Sequence, residues 1–455
     1  MTMAASETID VGRLVDEQKL GAHTLLLLVL SFLAMMADGY DILALAYAAP
    51  DIVREWGVQR SALGPVFSAG LFGILFGAPL FGYVGDRFGR RPAIIGGCII
   101  YGSCTLAAAW APSLTVLTLL RFVTGIGIGG LMPNTIALNV EFAPKRWRAT
   151  LVIVMFTGIT LGGALPGWIA AWLVPAYGWQ ILFLIGGVGP LVIAGLLYLF
   201  LPESIRFLVV QGMKRERIEQ LVRVFDPTIE IGPETRFVMT ADEEPRVRAS
   251  LRQLFDGGLA IITPLLWFLF GANLMATYFL NSWMPLLFQD AGMSAAYSAL
   301  ALSMVGIGGT VGGLTISVLL DRFGMIPVVV LFCLAAPIVA LIGTPGLNEA
   351  ALLVIVFFAG FSILGLQFGL NAISGLIYPT EIRSNGSGWA FAIGRFGSIV
   401  GPLLGGALIA MALPMRTLFY APAASLALGA VAAIVMMRLC YARFGGHRLE
   451  DRQTT

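Results

Sequence analysis

Charge is what this sequence has least of. Asp, Glu, Lys and Arg make up 12% of its 455 residues, against 58% hydrophobic, where ordinary soluble domains carry about 25% charged residues. A soluble fold could not hide that much apolar surface, and the mean hydropathy of +0.87 points the same way. The chain therefore reads as an all-α polytopic membrane protein. Its apolar runs are continuous rather than alternating, which excludes a β-barrel. A net charge of +2 offers no footprint for a nucleic-acid partner. Histidine is nearly absent: His23 and His447 are both terminal, so histidine cannot carry a proton within the membrane. The four cysteines, Cys98, Cys104, Cys333 and Cys440, lie in or beside apolar segments. They lack metal-ligand spacing and the pattern of a secreted disulfide framework, and read as packing or lipid-side thiols. No nucleophile–base constellation or metal motif is visible, which argues against an enzyme. The N-terminal MTMAASETIDVGRLVDEQKL is polar and is no signal peptide, so the first span is expected to act as the insertion signal.

What is present is a series of long apolar runs. Windows of about 20 residues place twelve spans near 23–49, 61–84, 92–111, 114–142, 149–175, 179–201, 258–288, 295–319, 327–346, 350–378, 386–412 and 416–438. This divides the chain into an N-terminal segment 1–22, a six-helix bundle 23–201, a linker 202–257, a second six-helix bundle 258–438 and a tail 439–455. The linker contains MKRERIEQLVRVF (213–225), an amphipathic surface helix by its pattern. Arg13, Lys19, Arg87, Arg90, Arg91, Lys145, Arg146, Arg148, Arg322 and Arg383 fall on the side of the termini, and only Arg54, Arg60 and Arg416 fall opposite. That bias predicts cytoplasmic termini.

The two bundles repeat. Asp86-Arg87-Phe88-Gly89 recurs as Asp321-Arg322-Phe323-Gly324, and Pro144-xxx-Arg148 as Pro379-xxx-Arg383, both shifted by 235 (321 − 86; 383 − 148). Pro50 and Pro285, Gly57 and Gly292, Gly77 and Gly312 share the offset. One constant shift implies six spans duplicated in parallel, an arrangement suited to two halves that rock about a central site.

Three loops carry further motifs: GYVGDRFGRRP (82–92), EFAPKRWRA (141–149) and PESIRFL (202–208). Together they resemble the signatures of the major facilitator superfamily, and the resemblance covers essentially the whole chain. It implies that fold, twelve transmembrane helices in two pseudo-symmetric halves, and rocker-switch transport. Candidate gating residues are Gly82, Asp86, Arg87, Arg90 and Arg91, then Glu141 and Arg148, and in the second half Asp321, Arg322, Glu381 and Arg383. Asp86 can pair with Arg90 or with an arginine of the other half, as a latch closed in one state and broken in the other. The alternative is a purely topogenic cluster. GIGIGG (125–130) resembles a dinucleotide loop but lies within an apolar span with no βαβ unit around it, so close helix packing is the better reading. GITLGGALPG (158–167) and GRFGSIVGPLLGG (394–406) read similarly, as places where the two halves approach.

Four charges lie well inside spans: Asp38, Asp41, Arg121 and Arg395. A charge at a helix centre costs at least about 2.5–3.5 kcal/mol on insertion scales and marks function by default. Asp38 and Asp41 share one helix face, roughly 22 Å along the helix from His23 at 1.5 Å per residue. Arg121 falls in the outer half and Arg395 near mid-depth. Desolvated carboxylates are candidates for reversible protonation, and arginine grips carboxylates through its planar fork. A proton symporter for an organic anion needs both. The alternative is a structural Asp–Arg pair. Asn273 stands at the repeat position of Asp38 (273 − 38 = 235). Thr277, Tyr278 and Asn281 follow on that span, Gln367 and Asn371 share a face of span ten, and Asn134 and Asn139 lie late in span four. Each can orient a ligand or bridge helices.

DGYD (38–41), RFVTGIGIGGLMPN (121–134) and GRFGSIVGP (394–402) together resemble the aromatic acid:H⁺ symporter family, which imports benzoate-like and hydroxybenzoate-like acids in bacteria. The resemblance implies Asp38 and Asp41 as essential proton-coupling carboxylates and functional arginines at Arg121 and Arg395. The expected protein is an inner-membrane importer of an aromatic carboxylate, driven by the proton gradient without an organic cofactor or metal, with the monomer as functional unit in the lipid bilayer. Arg395, with Arg121 as second candidate, would hold the substrate carboxylate. Asn273, Tyr278, Gln367, Asn371 and Trp389 complete the candidate substrate site, with Phe391 beside Trp389 and Tyr278 as a possible ring sandwich. The rivals are a symporter for a dicarboxylate or sugar acid, an exporter, and a receptor.

Overall fold

A computed structural model describes residues 8–212, 215–226, 228–229, 231–239, 251–256, 258–379 and 382–444, with backbone alone for Ala149, Asp321, Ser384, Arg443 and Phe444. Glu381 therefore lies outside the described residues, as does the side chain of Asp321.

In lipid every backbone N–H and C=O must be satisfied internally, so apolar runs of this length become helices. The described chain contains α1 (Val11–Glu17), α2 (Ala22–Trp56), α3 (Leu63–Phe88), α4 (Arg90–Ala108), α5 (Leu114–Phe142), α6 (Arg148–Trp172), α7 (Val174–Tyr177), α8 (Gln180–Phe200), α9 (Ile205–Val210), α10 (Arg215–Phe225), α11 (Ile262–Asp290), α12 (Ala295–Phe323), α13 (Ile326–Ile342), α14 (Glu349–Ile377), α15 (Arg383–Ala410) and α16 (Met415–Phe444). Eleven of these, some with an adjoining short turn, are long and apolar enough to cross a membrane, and α13 is the shorter twelfth at 17 residues. At 1.5 Å per residue α13 is roughly 25 Å long, just under the roughly 30 Å hydrocarbon core. All twelve expected spans are helices.

The repeat is visible in the helix ends. α5 and α14 both begin and end 235 residues apart, α3 and α12 end 235 apart, and α6 and α15 begin 235 apart. The caps repeat as well: the side chains of Ser113 and Asn348, again 235 apart, accept from the backbone N–H groups of Val116 (3.4 Å) and Ala351 (2.7 Å). Both satisfy donors that a helix start leaves free. Packing follows the same scheme in each half: α2 on α6, α3 on α5 and α4 on α8 correspond to α11 on α15, α12 on α14 and α13 on α16.

A small polar layer covers one end of the first bundle, here the near face. Strand β1 (Thr8–Asp10) pairs in parallel with β2 (Arg236–Val238) of the linker, Ile9 opposite Phe237. Neither three-residue strand has a periodic signal that the sequence could display. Asp10 caps α1 through Gly12 N (3.0 Å) and Arg13 N (3.3 Å). Gln18 Nε2 donates to Phe142 O (2.9 Å), and Arg148 meets Asp16 at 2.6 Å. The amphipathic α10 buries Ile218 and Val222 in this layer.

One apolar core runs through the second bundle and across into the far ends of α2, α3, α5 and α8. A separate core holds the near end of the first bundle together with β1, α1 and α10, and no described residue of the second bundle belongs to it. Three polar contacts joining the halves, Ser68 Oγ donating to Ile399 O (2.8 Å), Tyr47 OH to Ala299 O (3.5 Å) and the Arg60–Asp290 ion pair (2.8 Å), all lie toward the far face. The halves are joined at the far face and parted at the near face.

The glycine-rich segments need correcting. Gly158 and Gly162 of GITLGGALPG pack on the backbone of α2, and Gly397 and Gly401 of GRFGSIVGPLLGG pack on α11, each within its own half. Gly167 beside Ala299, and Gly406 beside Ser61 and Gly64, are the ones that face the other half. At the four within-half glycines an added Cβ would meet a backbone oxygen at 2.5 Å or less, against 2.9 Å at Gly406. Gly39, inside DGYD, meets α6 in the same way: a Cβ there would overlap the carbonyl of Ile159. Gly39→Val is expected to force α2 off α6, at a cost of about 1–3 kcal/mol or more. The thermal unfolding midpoint of the purified protein in detergent should fall, and an unchanged midpoint would contradict this packing.

Candidate functional site

The four intramembrane charges resolve into two unlike pairs. Arg121 of α5 donates to Asp41 of α2 through both ends of its fork, Nη1 to Oδ1 at 2.8 Å and Nη2 to Oδ2 at 2.6 Å. Thr105 Oγ1 of α4 adds a third bond to Oδ1 at 3.1 Å. Asp41 is 1% exposed and Arg121 6%. A bidentate pair answers both charges, the form in which they are best tolerated at this depth, although Arg121 Nε finds no partner among the described residues. Thr105 escaped the sequence reading, since a lone threonine on an apolar helix carries no signal.

Asp38 and Arg395 behave differently. Asp38 is buried, yet it makes no hydrogen bond among the described residues. Arg395 of α15 is half-buried and has no ion-pair partner among the described residues. Its guanidinium lies over the Phe391 ring, 4.9 Å from the centroid, a cation–π contact, and its charge reaches both Asp38 and Tyr278. Tyr278 and Ser282 of α11 face Asp41 and Arg121 across a cavity of about 40 Å³ that also borders Phe67 and Gly70. That space fits water rather than a ring acid. It lies beneath the contact of Ser68 with Ile399, one turn beyond Arg395.

Asn273, fully buried, donates from Nδ2 to Gln367 Oε1 (3.1 Å), and Gln367 Nε2 reaches Asn371 Oδ1 (3.4 Å). The three therefore form a chain from α11 to α14, and Asn273 Oδ1 is left without a partner among the described residues. Trp389 is not brought to this group. It pairs with Trp267 at 6.4 Å and is 39% exposed. Six residues from Arg395 is about 240° around a helix, whereas Phe391, four residues away, shares its face. Asn134 and Asn139 turn out to bridge helices: Asn134 Nδ2 donates to Phe81 O (3.1 Å) and Asn139 Nδ2 to Ser31 Oγ (2.7 Å).

The near-face motif residues assemble within the first bundle. Asp86 pairs with Arg90 at 2.7 Å, and Arg90 Nη1 donates to Asn134 Oδ1 at 3.0 Å. The Arg91 N–H donates to Glu203 Oε1 at 3.2 Å, its guanidinium to Tyr198 O, and Ser204 Oγ to Glu141. Arg87 lies against Phe88, and Gly82 faces open space. Gly89 has φ +109°, and a Cβ there would collide with the Glu203 carboxylate, so the turn requires glycine. A cavity of about 480 Å³ opens beside Asp86, Arg90, Glu141 and Arg206. Across the gap, Arg322 and Arg383 are exposed. Among the described residues no group of three His, Cys, Asp or Glu side chains could hold a metal ion.

Residues 27–373 match the family model of the Major Facilitator Superfamily. The chain is 36% identical to the 4-hydroxybenzoate transporter PcaK of Acinetobacter baylyi over 408 residues, 88% of each chain. It is 35% identical to the gallate transporter of Pseudomonas putida, over 90% of this chain and 91% of that one. Among solved structures, the xylose transporter XylE from E. coli, in a partially occluded inward open conformation, superposes with a TM-score of 0.69 at 19% identity, covering 92% of this chain and 98% of that one.

Removing one partner of a buried pair strands the other's charge, at about 3–5 kcal/mol. Asp41→Asn and Arg121→Gln are each expected to lower the thermal unfolding midpoint in detergent, and the double variant to recover much of the loss. A double variant as unstable as the sum of the singles would deny the pairing.

Proposed function

This chain belongs to the major facilitator superfamily, and on that premise we propose that it is a proton-coupled importer of a benzoate-class aromatic carboxylate. It is a multi-pass membrane transporter; its relatives are named as transporters, not enzymes. The two relatives described above are named for hydroxylated benzoic acids, 4-hydroxybenzoate and gallate, which supports a ring acid over a dicarboxylate or sugar acid. The Lys/Arg bias of the loops supports cytoplasmic termini in a bacterial inner membrane. In that orientation the near face is cytoplasmic, and the parting of the halves there supports an inward-open reading, with the monomer as the proposed functional unit.

The observation that carries this reading is the contrast between the two arginines. Arg121 is consumed by Asp41. Arg395 is half-buried with no carboxylate partner among the described residues, and an aromatic ring already lies against it. A substrate carboxylate supplies the missing anion, while Phe391 and Tyr278 receive the ring. Asp38 supplies the coupling. Ionised, it competes for the field of Arg395; protonated, it leaves that charge to the substrate. Protonation and substrate binding then favour one another, and the coupling is reciprocal. Asp41 is the second proton-linked carboxylate, held ready by Arg121 and Thr105. At the near face the charges now satisfied within the first bundle, Asp86, Glu141 and Arg90 with Arg87, Arg91 and Arg148, form with Asp321, Arg322, Glu381 and Arg383 of the second half a latch that closes when the halves rock together. The proton gradient is the only driving agent required, with no organic cofactor or metal.

The test is uptake of labelled 4-hydroxybenzoate into cells expressing the chain, with and without a protonophore. We expect protonophore-sensitive uptake that is lost in Asp41→Asn. Arg395→Gln should reduce Vmax/KM about 10- to 150-fold, the equivalent of one charge-assisted hydrogen-bonded contact of about 1.5–3 kcal/mol. Uptake indifferent to both the protonophore and Arg395→Gln would overturn the scheme. Preferential competition by aliphatic acids would move the substrate class to a dicarboxylate or sugar acid.

A further inference from the structure

α4 turns a polar face toward α2. Cys98, Tyr101 and Thr105 are all buried and stand three and four residues apart, the spacing of one helix face. The direction of that face is fixed by Thr105, whose hydroxyl donates to Asp41. Tyr101 is fully buried, in an apolar cluster with Leu71, Ile74, Ile128 and Ile399 against which Ala37 of α2 packs. Its hydroxyl has no hydrogen-bond partner among the described residues. Buried tyrosine hydroxyls almost always find one, so this donor is unused in the present state.

The helix register identifies its acceptor. α2 and α4 run in the same direction, both starting at the near face. Thr105 stands level with Asp41. One turn back on each helix stand Tyr101, about 6 Å nearer the near face, and Asp38, about 4.5 Å nearer, at 1.5 Å per residue. Three bonds already converge on the Asp41 carboxylate, two on Oδ1 and one on Oδ2. Asp38, next in reach, makes no hydrogen bond among the described residues. The titratable and charged groups around the hydroxyl are Asp38 and Asp41 on α2, Cys98 on α4 and Arg121 on α5. Tyr278 on α11 and Arg395 on α15 approach Asp38 from the other half.

We propose that Tyr101 is a positioning residue of the transport cycle, its hydroxyl donating to Asp38 whenever that carboxylate is ionised and releasing it on protonation. The inference rests on reading Asp38 as a proton carrier. The phenol keeps its own proton throughout; it donates a hydrogen bond and transfers nothing. Its effect is to stabilise the ionised Asp38 and so to set the pH at which that carboxylate takes up a proton and leaves the field of Arg395 to the substrate. Thr105 and Tyr101 thus serve the two carboxylates in parallel, one donor each, one turn apart.

The experiment is a pH titration of the carboxyl infrared band of the purified full chain in lipid vesicles, without substrate. The Asp38 component is assigned by its loss in Asp38→Asn. In Tyr101→Phe, which keeps the ring and removes only the hydroxyl, the midpoint of that band should move to higher pH by about one unit, because the anion has lost a donor. Thr105→Val should leave the Asp38 midpoint in place. An Asp38 midpoint unmoved by Tyr101→Phe would overturn the proposal alone; a wild-type Asp38 band that never titrates would overturn the proton-carrier reading and this proposal with it. Should the variant fail to fold, the wild type decides: a tyrosine C–O band should shift in step with the Asp38 band, and a band indifferent to it would overturn the assignment.

Discussion

A charge in the membrane interior must be answered by another charge or by a substrate, and the site is organised by that requirement. Asp41 and Arg121 answer each other, with two fork bonds and a threonine. Each alone would carry a penalty of several kcal/mol, while the satisfied pair is close to neutral in cost. Their pairing fixes α2 against α5, and Gly39 fixes the same turn of α2 against α6. With those contacts set, Asp38 is carried one turn nearer the gap between the halves. Its counter-charge, Arg395, comes from the other half. That pair is left incomplete, and the proposed site for an anion and a proton rests on that.

The duplication makes the asymmetry measurable. At the constant offset of 235, Asp41 corresponds to Ala276 and Arg121 to Val356, both fully buried. The second half thus solves the same packing problem with two apolar side chains. A buried pair replaced by hydrophobic residues of adequate fit is often neutral or better for stability, so stability alone does not explain why the first half keeps its charges. Asp38 likewise corresponds to Asn273, which bonds to Gln367 and leaves an acceptor open. Tyr101 and Thr105 correspond to Ala336 and Ala340. Asp41, Arg121, Tyr101 and Thr105 thus have apolar counterparts in the other half, while caps, helix ends and pairings are shared. The shared features are scaffold, and the unshared ones are where the halves divide their labour.

Much of this was legible in the residues. Long apolar runs fix twelve helices because lipid leaves the backbone no other partner, and the offset of 235 fixes the parallel halves. The four charges are visible because nothing around them is polar. Their partition was not legible. Whether Asp41 chooses Arg121 or Arg395 depends on how α2 and α5 rotate against each other, and no local pattern encodes that. Thr105 and Tyr101 are silent for the same reason, since an uncharged residue on an apolar helix means nothing until its neighbour is known. The placement of Trp389 was within reach of helical geometry, which favours Phe391 beside Arg395. The glycine segments misled because small residues mark close approach without saying to what.

The contrast between the two faces follows from the same physics. At the far face the halves are sealed by apolar core, including the edge contact of Phe67 with Trp283, and by backbone acceptors such as Ile399 O. At the near face the first half satisfies its charges internally: Asp86 on Arg90, Glu141 on Ser204, Arg148 on Asp16. An apolar seal is non-directional and holds wherever water is excluded. A charge network is directional and strongly weakened by water, so it can exchange partners at little net cost. A transporter that must open and close needs one of its gates to rearrange without a large barrier. Arg322 and Arg383 are exposed at the near face of the second half, while the intramembrane pair beneath is buried. The surface charges thus sit where water lowers the cost of changing partners, and the central ones where burial keeps the cost of an unanswered charge high.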